Sequence, residues 1–154
     1  KVMLSTHIKS AFATTYIIGL LTIIISGVAM AESQQRLQPC PSSPNCVCSD
    51  ATDGHGIEPI VIAGDAQMLW KRLQDYLAQQ RGFTIKQVDD NYLRVEAKTR
   101  LFGFVDDVEF ELRVGQGVIA VRSASRVGYS DLGANRRRIE RIRKELEPNR
   151  QKPN

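Results

Sequence analysis

The sequence predicts an α+β domain: an antiparallel sheet of about four to five strands with two helices packed on one face, in the order β-α-β-β-β-β-α, preceded by an N-terminal hydrophobic helix. Two stretches carry apolar residues at helical spacing, Ala66 to Leu77 and Ile139 to Leu146. Between them, residues 83–123 alternate apolar and polar side chains, with turn residues at the breaks. That pattern belongs to antiparallel hairpins with one buried face.

Residues 1–31 differ from the rest. Lys1, His7 and Lys9 are the only side chains there that carry charge near neutral pH, and an apolar run from Tyr16 to Ile25 follows. Ser26-Gly27 weakens a helix, and Ala29-Met30-Ala31 supplies small residues at a cleavage position. The order is that of a signal peptide cut after Ala31. The alternative is one uncleaved membrane anchor over residues 11–31, near the minimum length for a span. Either reading leaves the lysines inside and carries the domain out, to a periplasmic or extracytoplasmic location.

Residues 32–58 are polar and rich in Pro and Gly, and read as an irregular arm. Cys40, Cys46 and Cys48 all fall within it. In an oxidising compartment a clustered pair is most often a disulfide. Cys40 and Cys46 enclose Pro41 and Pro44, which help the chain turn back. Cys46 and Cys48 are too close for an unstrained bridge in an extended segment, so Cys48 is left free or intermolecular.

The α+β domain is expected over residues 59–147. Ile60 to Ile62 supplies a short first strand, and Asp65 an N-cap. A first helix over 66–80 packs through Trp70 and stops at Gly82. Strands follow at Phe83–Val88, Tyr92–Lys98, Phe104–Val114 and Val118–Ser123. Phe104, Asp106, Val108, Phe110, Leu112 and Val114 share one face; Asp107, Glu109, Glu111 and Arg113 share the other with Val105. The last helix begins near Leu132 or Asn135 and runs to Leu146, with Pro148 as its stop and a polar tail over 148–154.

The chain carries 21 basic and 17 acidic side chains. From Arg136 to Asn154 there are eight basic residues against three acidic. The basic surplus therefore belongs to the last helix, and no nucleic-acid partner is implied.

Chemistry-bearing residues concentrate in two places. Asp106 points inward by strand parity, and a buried carboxylate needs a partner. Arg122 and Arg126 are the best candidates, with Arg138 also within the same segment. The segment from Arg122 to Arg138 holds Ser123, Ser125, Ser130, Asp131, Asn135 and Arg136 as well. Hydroxyls, glycine amides, arginines and a helix start together suit an anion. Ser130 or Asp131 caps that helix, Asn135 falls on its inner face, and Arg137, Arg141 and Lys144 point to solvent. The simpler reading of the arginines is a solvated face, and of Asp106 a structural ion pair. Cys40, Cys46, Cys48 and His55 lack the paired spacing of a metal site, so no metal and no cofactor is expected. Asp106 and Asp107 point to opposite faces and are not an acid–base pair, and no nucleophile or phosphate-loop motif is present.

Three motifs stand in order: Cys40-Pro-Ser-Ser-Pro-Asn-Cys46, Phe104-Val-Asp-Asp-Val-Glu-Phe110, and the run from Arg122 to Ile139. Together they resemble the bacterial and plastid family called domain of unknown function 1499, over about residues 38–146. Cys48 departs from that family, which more usually carries serine there. The resemblance implies a domain boundary and no activity.

The expected function is an exported, non-enzymatic binding or assembly domain. Its partner would be a small anion, a lipid headgroup or an acidic protein, a membrane protein among the candidates, held through Arg122, Arg126, Arg136 and Arg138. The alternative is a hydrolase or transferase on a phosphorylated or acyl substrate, with Asp106 as acid or base.

Overall fold

The structure is a computed structural model, and it describes residues 36–99 and 103–147. The contacts divide the chain at Glu32, and every described residue belongs to the unit Ser33–Asn154. The readings of residues 1–31 and of the polar tail lie outside the described residues. No described helix is long and apolar enough to cross a membrane.

Strand β1 (Cys46–Cys48) and β2 (Ile60–Val61) precede α1 (Ala66–Gln79). Then come β3 (Phe83–Val88), β4 (Tyr92–Lys98), β5 (Val105–Arg113), β6 (Val118–Ser125) and α2 (Ala134–Leu146). The sheet is six-stranded and antiparallel, in the order β1-β6-β5-β4-β3, with β2 also paired to β6. The α+β class therefore holds.

Local chemistry accounts for the elements. The Asp65 carboxylate accepts the Met68 amide and caps α1. Leu69, Trp70, Leu73 and Leu77 recur at helical spacing and are buried. Gly82 sits at φ +87°, and a Cβ there would lie 3.0 Å from the Lys98 carbonyl, so glycine lets the chain turn from α1 into β3.

Both helices pack on one face. Leu73 and Leu77 of α1 join Ile139, Ile142 and Leu146 of α2 in one core with Val95, Val108, Phe110, Ile119 and Val121 of the sheet. Arg72 of α1 also donates to the carbonyls of Glu145 and Leu146.

Two expectations fail. The arm is not wholly irregular: Cys46–Cys48 is a strand paired with β6 in the register Cys46↔Ala124 and Cys48↔Arg122. Three residues carry too little alternation to declare a strand; the disulfide loop delivers them to the sheet edge. The face away from the helices is also not simply solvated. Around Tyr92, Ala120 and Cys48, the arm covers it with Leu37, and Glu109, Glu111 and Arg113 are buried there.

Candidate functional site

Strand alternation sorts the polar residues onto the two faces. On the helix face, Asp106 pairs in register with Ser125, and Val108 with Ser123. Asp106 is 2% exposed and Ser123 and Asn135 fully buried. The guanidinium of Arg138 reaches over this row from the first turns of α2. It donates to Asp106 Oδ2 at 2.5 Å, to Ser123 Oγ at 3.0 Å and to Asn135 Oδ1 at 2.5 Å.

Asn135 is the hub. Its Oδ1 accepts from Ser123 Oγ as well as from Arg138. Its Nδ2 donates to the Asn45 carbonyl at 2.9 Å and to Ser125 Oγ at 3.0 Å. Every donor and lone pair of the amide is used, which is the condition for burying it without loss. Asn45 in turn donates to the Gly128 carbonyl and lies beside Cys46, whose disulfide to Cys40 spans 5.7 Å between Cα atoms. The network joins β5, β6, α2, the disulfide loop and the 126–133 loop. Truncation of Asn135 to alanine leaves the Ser123 hydroxyl proton without its acceptor and takes one acceptor from Arg138, and is expected to cost about 2 kcal/mol in a denaturant melt.

The partner expected for Asp106 is corrected. Arg122 and Arg126 do not reach it; Arg138 does. Arg122 stands between Val121 and Ser123, so the pleat turns it to the other face, where it donates to Glu109 Oε1 at 2.6 Å. Tyr92 donates to the second oxygen of Glu109. Burial and that carboxylate hold the phenol protonated, well above the usual tyrosine range. Arg126 forks onto Asp107 and also reaches Glu96. Its guanidinium holds both carboxyls below their ordinary values. Both arginines are thus already ion-paired within the domain.

Loop residues are similarly occupied. The Asp131 carboxylate accepts the amides of Gly133 and Asn135, and Ser130 Oγ accepts the Leu132 amide. The start of α2 is therefore capped from within. Arg136 donates to the Gly54 carbonyl and lines a shallow cleft of about 300 Å³ with His55 and Tyr129.

The unsatisfied charge lies elsewhere. A cleft of about 270 Å³ between α2 and the β3–β4 hairpin is lined by Arg81, Lys98, Arg137, Arg138 and Arg141, with Gly82, Phe83, Ala97 and Ala134 as its apolar floor and walls. No carboxylate among the described residues lines it. Arg138 is neutralised by Asp106, and Arg137 donates to the Leu132 carbonyl. Arg81, Lys98 and Arg141 form no ion pair among the described residues. The sequence reading sent Arg137 and Arg141 to solvent and passed over Arg81 and Lys98. Their convergence was readable in part: residues 137, 138 and 141 share one side of a helix. The rest needs the hairpin register, which sets Lys98 against Gly82 through an N–H···O bond of 2.7 Å.

No curated protein and no solved structure matches the chain. The family model described as "Protein of unknown function (DUF1499)" matches residues 36–146, which takes in the disulfide loop, the sheet and both helices. By that match the chain belongs to the DUF1499 family.

Proposed function

We propose that this is an exported, non-enzymatic binding domain whose ligand carries a phosphate or carboxylate group held in the cleft between α2 and the β3–β4 hairpin. One observation carries the reading: among the described residues five cations line that cleft, no acid does, and three of the five have no ion-pair partner. Like charges crowded in one concavity repel, and a cleft of one sign focuses its field on a counter-charge. Arg136, Arg137 and Arg138 add to the cost, because they lie near the positive end of the α2 dipole, which the capping Asp131 carboxylate offsets only in part. A bound anion removes both penalties. Arginine also matches phosphate and carboxylate with paired N–H donors.

Asp106 fits this reading better than an acid–base role. It is paired with Arg138 and 2% exposed. The export part of the proposal rests on the order of charge, apolar run and small residues in 1–31.

Thermal melts in inorganic phosphate test the cleft. At a hundredfold excess over its dissociation constant, phosphate should stabilise the wild type by about 2.7 kcal/mol. The shift should vanish in Lys98→Glu/Arg141→Glu, two exposed positions where charge reversal leaves the core intact. A phosphate effect that survives this double reversal, or no effect in the wild type, refutes the reading.

A further inference from the structure

The loop between β6 and α2 presents apolar side chains to water. Val127 is 57% exposed, Tyr129 75% and Leu132 84%. Other exposed apolar residues, such as Val61, Met68 and Val88, are scattered through other elements. These three fall within six residues of one loop.

The loop is held in place while its apolar side chains face out. The Gly128 carbonyl accepts from Asn45 at 2.5 Å, the Asp131 carboxylate ties back to the Gly133 and Asn135 amides, and the Leu132 carbonyl accepts from Arg137 at 2.8 Å. Leu132 sits at φ +53°, a left-handed conformation that a branched L residue seldom adopts, and buries almost nothing in return. The fold thus holds a leucine outward against its backbone preference.

Arg137 links this tip to the basic cleft, since the same guanidinium lines the cleft and holds the Leu132 carbonyl. We propose that the 126–133 loop is a membrane-docking tip: Val127, Tyr129 and Leu132 enter the interfacial region of a bilayer while the adjoining cleft takes the phosphate of an anionic lipid headgroup. The inference rests on the anion-binding reading of the cleft and names the source of its anion. The chemistry matches on both counts. A few apolar side chains bind an interface weakly alone, and cations beside them add attraction to anionic lipid. Tyrosine suits the headgroup level, with its ring in the apolar layer and its hydroxyl in water. Three exposed side chains on one short loop make a small footing for a protein partner, whose interface needs a broader apolar centre.

The test uses the full chain with Tyr129→Trp in vesicles whose acyl chains carry bromine. Trp70 is the only native tryptophan and is buried, so the unsubstituted chain gives the baseline. In phosphatidylcholine vesicles containing phosphatidylglycerol, most of the emission added at position 129 should be quenched and shifted to the blue. In pure phosphatidylcholine, or with Lys98→Glu/Arg141→Glu added, the quenching should fall to the baseline. Serine at Val127 and Leu132 should also remove it while leaving the phosphate-dependent melt unchanged, which shows that the domain is folded and the cleft intact. Unquenched emission from position 129 in phosphatidylglycerol vesicles, alongside a normal phosphate shift, overturns membrane docking and leaves the anion cleft standing. Equal quenching with and without phosphatidylglycerol overturns the headgroup assignment. Loss of both the quenching and the wild-type phosphate shift removes the cleft reading itself.

Discussion

Asp106→Asn is expected to lower stability by about 3 kcal/mol, seen as a fall of roughly 10–15 °C in the thermal midpoint. The substitution is nearly isosteric, so packing is not the cause. Arg138 is left without its carboxylate partner. Its side chain is only 12% exposed, and Ser123 and Asn135 are neutral acceptors already shared within the network. Removing the one carboxylate within reach among the described residues leaves a cation that water barely solvates. Two further measurements separate this from a general loss of fit. Asp106→Leu with Arg138→Met should recover most of the loss, since replacing both partners of a buried pair by apolar groups is often close to neutral. Phosphate should stabilise Asp106→Asn more than it stabilises the wild type, because the cleft that Arg138 lines has then lost its nearest negative charge. A midpoint equal to that of the wild type would show that the pair carries no stability.

The sequence was informative wherever a period repeats. Strand parity placed Asp106 inward, helical spacing placed Asn135 on the inner face of α2, and both are buried. The cap at Asp65 and the Cys40–Cys46 link were readable from local chemistry. The same parity rule, applied to the expected strand Val118–Ser123, turns Arg122 away from Ile119, Val121 and Ser123, and so away from Asp106. What could not be read is burial by an irregular segment. Glu109, Glu111 and Arg113 alternate as a wet face does, and only the folded arm, through Leu37 and the Cys46–Cys48 strand, covers them. The basic cleft was hidden for a related reason: Arg81 and Lys98 meet across a hairpin whose register no single residue declares.

Arg113→Met is expected to have the largest effect, about 4 kcal/mol, and to loosen the arm. Arg113 is the clasp between sheet and arm. Its guanidinium grips Asp50 with bonds of 2.6 and 2.8 Å and donates to Glu111 Oε2 at 2.7 and 3.1 Å. The Glu111 side chain has no solvent exposure, and its other oxygen has no partner among the described residues. Without Arg113, the carboxylate keeps only the Arg36 amide at 3.3 Å. A charge buried with so little compensation costs far more than the clasp contributes when intact. Methionine matches the stem of the arginine, so the loss measures charge more than volume. Adding Glu111→Leu should restore much of the stability, because Asp50 is partly exposed and solvated without its partner. Cys48 provides an independent reading of the arm. Its thiol is 1% exposed, and burial pushes its pKa up, so in the wild type it should resist a thiol reagent. In Arg113→Met, the segment from Leu37 to Ala51 should open with its internal Cys40–Cys46 loop intact, and Cys48 should become reactive before the domain melts. If Cys48 stays inert up to the global transition, the arm is held by its strand pairing with β6 and the ion cluster is not its clasp.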